Sequence, residues 1–384
     1  MELETVKQQF NEQFGSPAGV AFAAPGRVNL IGEHTDYNGS FVFPGAIDKR
    51  MVAVIRPNGT DKVRAWSVDY QEKAVFSMEE QDLPEAMWAR YVFGVCREMA
   101  KRGATPGGFD AAFTGDVPLG AGMSSSAALE SVYAYGLNQL FSLGFDSMEL
   151  ARIGQATEHN YVGVKCGIMD QFASLFGKKD HLIRLDTRSM EYTYFPFRPQ
   201  GYRLVLLDTL VKHELASSAY NKRRQSCEQA ARAVRDNGHP QVEFLRDVSM
   251  DMLQGVRHRI SEEDFKRAQY VIEETERVLT VGEALQRDDY ETVGRMMYQT
   301  HYGMRDLYEV SCRELDFLND VALECGVTGS RVMGGGFGGC TINLVEDALY
   351  GPFLERAKKA FAAEFGHEPK VYDVVISDGA RRLL

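Results

Sequence analysis

GDVPLGAGMSSSAALE, residues 115–130, is the stretch on which the fold turns. A strand-like run, FDAAFTGDVP (109–118), leads into a loop of small residues. That loop opens onto a helix carrying Ala127, Ala128, Val132, Tyr135 and Leu140 on its periodic positions. Glycines let the chain bend so that successive N–H groups converge into a concave anion nest. The free N–H groups at the helix start add partial positive charge, on the order of half an elementary charge. Serines here can cap the helix, and a hydroxyl can also ligate Mg2+ beside a phosphate. No G-x-x-x-x-G-K-[ST] occurs, so this is not a Walker A loop. A plain serine cap after a tight turn fits the same residues.

Two further stretches stand out. VMGGGFGGCTINL (332–344) contains G-x-G-x-x-G at Gly334, Gly336 and Gly339, but the residues after Gly339 read as a strand. A dinucleotide fold needs a helix there, so that reading is rejected. A strand–loop–strand turn allowing close backbone approach to a ligand remains, alongside a bulged hairpin. In APGRVNLIGEHTDYNGSFVFP (24–44), Glu33, His34, Asp36, Tyr37 and Asn38 crowd a short span between Gly32 and Gly39. Carboxylates and an imidazole at such spacing can serve several hydroxyls of one sugar. A metal site lacks a second ligand pair such as H-E-x-x-H, and a polar turn between strands is the bland alternative.

Composition narrows the function classes. The 384 residues are 44% hydrophobic and 25% charged, with 54 acidic against 43 basic side chains and a formal net charge of -11. Such a balance disfavours a nucleic-acid footprint, so positive groups for a phosphate ligand must be placed locally. Six cysteines lie at wide spacings with no C-x-x-C pair, which favours free thiols in a reducing compartment. The start, MELETVKQQFNEQFG, is no signal peptide, and no run is long and apolar enough to span a bilayer. A cytoplasmic protein without membrane or nucleic-acid partners is expected.

Along the chain, residues 4–14 form an amphipathic helix with Val6, Phe10 and Phe14 on one face. Strands follow at 20–25, 41–47, 51–57 and 63–69, a helix at 86–101, and mainly helical patterns from 124 to 177. A strand pair at 181–197 ends at Pro199–Gly201, the candidate domain boundary. Beyond it come a buried strand (202–210), helices at 217–236, 262–287, 289–304 and 311–325, the glycine-rich segment and a strand at 340–346. A helix (352–365) and the terminal strand KVYDVVIS complete the chain. Mixed runs without regular βαβ alternation indicate α+β in both halves, 1–200 and 201–384. The RRQ run at 223–225 reads as a solvated helix face, and Trp66 and Trp88 as core.

Together the three motif segments resemble those of the GHMP small-molecule kinases. GRVNLIGEHTDYN (26–38) is similar to the sugar signature of the galactokinase branch, and CGIMDQ (166–171) and YNKRR (220–224) agree with it. The resemblance implies an N-terminal domain like the second domain of ribosomal protein S5, a ferredoxin-like C-terminal domain, and a site between them. It implies ATP-dependent phosphorylation of galactose at its anomeric hydroxyl, the entry step of the Leloir pathway, by a monomer using Mg2+. Asp170 and Arg27 are then the catalytic pair. Glu33, His34, Thr35, Asp36, Gly167 and Tyr220 bind the sugar. Gly120, Ala121, Gly122, Met123, Ser124, Ser125 and Ser126 cradle the triphosphate, and Ser126 with Glu158 holds the metal ion. A kinase for N-acetylgalactosamine or arabinose is an alternative. So is a non-catalytic sugar and ATP sensor, although SSSAALE, Asp170 and Arg27 are all intact.

Overall fold

The computed structural model describes residues 2–80, 82–211 and 216–383. Its strands are β1 (Val20–Asn29), β2 (Phe41–Val42), β3 (Pro44–Pro57), β4 (Lys62–Ser67), β5 (Glu72–Ser77), β6 (Phe109–Gly115), β7 (His181–Asp186), β8 (Tyr192–Pro196), β9 (Tyr202–Asp208), β10 (Gly329–Val332), β11 (Cys340–Glu346), β12 (Lys370–Asp373) and β13 (Arg381–Arg382). They make a six-stranded sheet ordered β13-β1-β3-β6-β4-β5, a three-stranded sheet β2-β7-β8 and a four-stranded sheet β10-β11-β9-β12.

Alternation along the first sheet gives it two dry faces. Phe22, Ala53, Ala111 and Phe113 pack under the helices Met87–Lys101 and Ser125–Phe141, through Val92, Val95, Ala128 and Val132. Their neighbours Ala21, Val54 and Ala112 point the other way, onto Val6 and Phe10 of the helix Glu2–Phe14. The amphipathic stripe expected over residues 4–14 is therefore the lid on that face.

The second large sheet is antiparallel throughout, and its order, reached through β-α-β-β-α-β connections, is the ferredoxin-like one. One face carries the helices Arg313–Glu324 and Asp347–Phe365 through Leu318, Phe353 and Phe361. The other face (Leu204, Leu206, Ile342, Leu344) joins the apolar cluster that continues into the first sheet. The α+β architecture in two halves is thus as expected, but the halves share a core.

Three expectations need correction. KVYDVVIS is not one terminal strand: Lys370–Asp373 pairs with β9, Ile376 bridges to Ile47, and β13 pairs with β1 at Phe22↔Arg382. The chain therefore leaves the second large sheet after β12, and β13 closes the edge of the first. Second, the sequence reading missed β5 and β10, a polar edge strand and a strand of only four residues. Third, the RRQ run is not a solvated face at Arg223. Its guanidinium is buried, donating to the carbonyls of Tyr308 (3.0 Å) and Glu309. Among the described residues, no helix is long and apolar enough to cross a membrane, and all six cysteines are free.

Candidate active site

The three motifs interlock backbone to backbone. A bulge at Gly26 interrupts the β1–β3 register and turns Arg27 toward the serine loop, where its N–H donates to Met123 O (3.1 Å). A methyl group on Gly26 would lie 2.5 Å from that same carbonyl, and one on Gly334 would lie 3.2 Å from Gly122 O. Gly122, at φ 77, faces Met333 O in return. The glycine-rich segment is followed by β11, as its sequence suggested, and its close approach is to the serine loop and to Val310 O.

At this junction lies a cavity of about 250 Å³, lined by Arg27, Glu33, His34, Asp36, Tyr91, Ser126, Glu158, Cys166, Gly167, Asp170, Tyr220 and Gly335 among others. Asp170 sits in the first turn of the helix Met169–Phe176. Arg27 grips it bidentately, Nε to Oδ1 at 2.9 Å and Nη2 to Oδ2 at 3.2 Å, while Nη1 donates to Gly122 O. Ser124, at φ 58, stands at the N-cap position of Ser125–Phe141 yet makes no cap bond; its hydroxyl donates to Asp170 Oδ2. The plain-cap alternative is therefore excluded for Ser124. The first N–H groups of a 17-residue helix are left without a side-chain cap.

Glu33 is buried, with Oε1 accepting from Gly334 N (2.8 Å) and Arg331 Nη2 (3.0 Å). His34 also has both ring nitrogens engaged, Nδ1 with Tyr37 Oη (2.7 Å) and Nε2 with Gly335 O (3.1 Å). Burial pushes its pKa down to about 3, so the ring is neutral. Asp36 accepts from Tyr37 N (3.0 Å); burial first, then the charge of Asp170, lifts its pKa to about 7. Tyr220 packs its ring 5.1 Å from that of His34.

Of the expected sugar ligands, Thr35 lies away from the cavity and Gly167 lies at it. Thr35 does not line the cavity: it is fully buried, its hydroxyl closing the turn against Gly32 O (2.8 Å) and Phe41 O (2.7 Å). Gly167 does line the cavity, but its missing side chain makes room for Asp36, whose carboxyl atoms would lie 2.0 Å from an added Cβ. Within the serine loop, Ala121 and Met123 point into the core, and only Ser125 and Ser126 line a cavity.

Glu158 begins a π-turn, Glu158–Val162, which breaks the helical register and aims the carboxylate inward. It is buried and hydrogen-bonded to Ser126, and burial raises its pKa to about 7. Beside it, Glu130 Oε1 is buried with no partner, while Oε2 accepts from Gln171 Nε2 at 2.9 Å. No group of three His, Cys, Asp or Glu side chains among the described residues could hold a metal ion. The Ser126 hydroxyl and the Glu158 carboxyl, two hard oxygens beside the uncapped start of the helix, are nevertheless of the kind that suits Mg2+, which retains water and takes phosphate oxygens.

Tyr91 and Ser126 also line a second cavity of about 870 Å³, walled by Trp88, Met87, Phe113, Val117, Leu119, Leu129, Leu210 and Tyr372. Trp88 is therefore wall as well as core, and Tyr91, which the sequence reading did not single out, lines both cavities. The signal available was an aromatic pair at i and i+3 ahead of the serine loop, common enough in any buried helix.

Models of three families match the chain: the galactokinase galactose-binding signature at residues 8–57, the GHMP kinases N-terminal domain at 90–178 and the GHMP kinases C-terminal domain at 283–362. A galactokinase of Thermotoga petrophila is 40% identical over 94% of this chain and 99% of its own length. One from Roseiflexus sp. is 40% identical over 100% and 98%. The crystal structure of Lactococcus lactis galactokinase complexed with galactose superposes with a TM-score of 0.94 at 31% identity, covering 99% of this chain and 100% of that one. Methanococcus jannaschii mevalonate kinase, 15% identical over 95% of this chain and 100% of its own, shares the fold with a TM-score of 0.65. With its three motifs meeting at one cavity and full-length relatives on either side, the chain belongs to the galactokinase family of the GHMP kinases.

Proposed function

We infer that the chain transfers the terminal phosphoryl group of ATP to the anomeric hydroxyl of galactose, giving galactose 1-phosphate and ADP. The observation that carries this reading is the sharing of Ser126 and Tyr91 between a small polar cavity and a large apolar one. A sugar in the first and a nucleotide base in the second would meet at the uncapped helix start, where triphosphate oxygens find free N–H groups. Of the cations at the two cavities, Lys370 lines the larger together with Asp69, Glu72, Asp116 and Asp208, and Arg27 lines the smaller paired with Asp170. The helix start and a metal ion must therefore carry most of the neutralisation of a triphosphate.

Glu33, Asp36, His34 and Tyr220 hold the sugar, with the backbone at Gly167 keeping Asp36 in place. Asp170, fixed by Arg27 and Ser124, accepts a hydrogen bond from the anomeric hydroxyl. As that oxygen bonds to phosphorus, the bond to the bridging oxygen of ADP breaks and the hydroxyl proton passes late to Asp170. A loose transition state asks little activation of the nucleophile, so a carboxylate held by a guanidinium is base enough. Arg27 stabilises charge on the transferring group. Ser126 and Glu158 would hold Mg2+, which supplies neutralisation of the phosphate charge when bound.

A coupled ADP-release assay with galactose, glucose, arabinose and N-acetylgalactosamine tests the reading. Galactose should give the highest kcat/KM; a higher value for another sugar reassigns the substrate, and no ADP with any of them removes catalysis. The same assay across pH carries a sign. Asp36 and Glu158 lose their protons as pH rises through about 7, and the ionised forms accept sugar hydroxyls and a cation. Hence kcat/KM should climb through that value and fall on the acid side. A flat profile between about pH 6 and 8 contradicts this assignment.

A further inference from the structure

A row of buried polar side chains runs back from His34 at the cavity, and beyond that ring it takes no part in the chemistry above. Cys227, on the helix Ala216–Asp236 that also carries Tyr220, lies 3.2 Å from Tyr308 Oη. Tyr308 Oη is 2.7 Å from Tyr37 Oη, which is 2.7 Å from His34 Nδ1; His34 Nε2 is 3.1 Å from Gly335 O. All four side chains are buried, and Asn38 fixes the His34 backbone by donating to its carbonyl at 2.8 Å. Each hydroxyl on its own has an ambiguous direction. The carbonyl at the end removes the ambiguity, because it can only accept.

Gly335 O therefore requires a proton on His34 Nε2, and a neutral ring then has Nδ1 as an acceptor. Tyr37 must donate to Nδ1, so its oxygen accepts from Tyr308, and the Tyr308 oxygen accepts the thiol hydrogen of Cys227. The burial that depresses the His34 pKa excludes the doubly protonated ring that would break this order. Gly335 belongs to the glycine-rich segment, Tyr37 to the sugar motif and Cys227 to a helix of the second half, so one polarised chain joins three separate elements.

We propose that Tyr37 and Tyr308, backed by Cys227, are positioning residues that hold His34 as its Nε2–H tautomer, so that the ring ties the sugar motif to Gly335 O and leaves no ring nitrogen as an acceptor at the cavity wall. A sugar hydroxyl then finds no lone pair on His34 to donate to, and the neighbouring carboxylates must accept its hydrogens. The specificity consequence rests on the cavity taking a sugar; the tautomer does not.

Nitrogen-15 NMR of the histidine rings in the intact protein reads the tautomer without turnover. The expected spectrum shows His34 neutral and protonated at Nε2; protonation at Nδ1, or at both nitrogens near neutral pH, overturns the proposal. Tyr37→Phe should raise the KM for galactose by about tenfold, the usual worth of one such hydrogen bond, with kcat and the KM for ATP within about twofold. Tyr308→Phe should act in the same direction. Because Tyr308 works through Tyr37, the double variant should cost no more than Tyr37→Phe alone. Additive losses, or a fall in thermal midpoint with unchanged KM, would mean that the tyrosines merely pack. Should the parent protein phosphorylate no sugar while NMR shows the Nε2–H ring, the functional reading fails and the relay stands.

Discussion

Replacing Asp170 with asparagine should lower turnover by at least about two orders of magnitude, the usual contribution of a positioned general base. The substitution preserves size and removes both the charge and the proton acceptor. An amide oxygen in place of Oδ1 can still accept from Arg27 Nε, but the NH2 group in place of Oδ2 then faces both Nη2 and the Ser124 hydroxyl, which donate to that oxygen in the parent. Arg27 keeps the Gly122 carbonyl, and the sugar keeps its proposed partners Glu33, Asp36 and Tyr220. The KM for galactose should accordingly move far less than kcat. That split is what separates loss of the acceptor from collapse of the site. Steady-state kinetics on a variant with a parental thermal midpoint measures it. Turnover within a few-fold of the parent would leave Asp170 a structural partner of Arg27 and nothing more.

The second large effect concerns a residue that no motif pointed to. Arg331 is fully buried at the end of β10, its guanidinium donating to Leu30 O (3.0 Å), Asn29 O, Val332 O and Glu33 Oε1 (3.0 Å). It ties β10 to the end of β1 and holds Glu33 at the cavity. Replacing both partners of such a pair with apolar residues can be nearly neutral, but removing one strands the other. Arg331→Met should therefore destabilise the protein by about 3–5 kcal/mol in urea unfolding. Adding Glu33→Gln should recover part of that loss by removing the stranded charge, and should not restore activity. A single variant within about 1 kcal/mol of the parent would show that water or a neighbouring group solvates Glu33 in place of arginine.

How much of this was legible in the sequence depended on whether the information was local. The serine loop and the glycine-rich segment announce themselves, because glycine at φ 77 or 78 and a strand-to-helix step are written in adjacent residues. The absence of a helix after Gly339 was legible for the same reason. Contacts between distant segments were not. Glu33 and Arg331 are 298 positions apart, and nothing beside Arg331 marks it except a charge in a short strand that proves wholly buried. Thr35 was legible as part of a polar cluster, yet the direction of its hydroxyl is set by Gly32 and Phe41 carbonyls that only the folded turn brings together. Gly167 suggested a close approach, and the partner that approaches, Asp36, comes from 131 residues earlier in the numbering. The break in KVYDVVIS comes from tertiary pairing alone, since its apolar pattern runs on without interruption.

The most direct measurement is a crystal structure of the protein with galactose and a non-hydrolysable ATP analogue. The expected result has the terminal phosphate against the backbone of residues 120–126 and the anomeric oxygen within hydrogen-bonding reach of Asp170. A nucleotide seated away from that loop, or an anomeric oxygen turned away from Asp170, would contradict it.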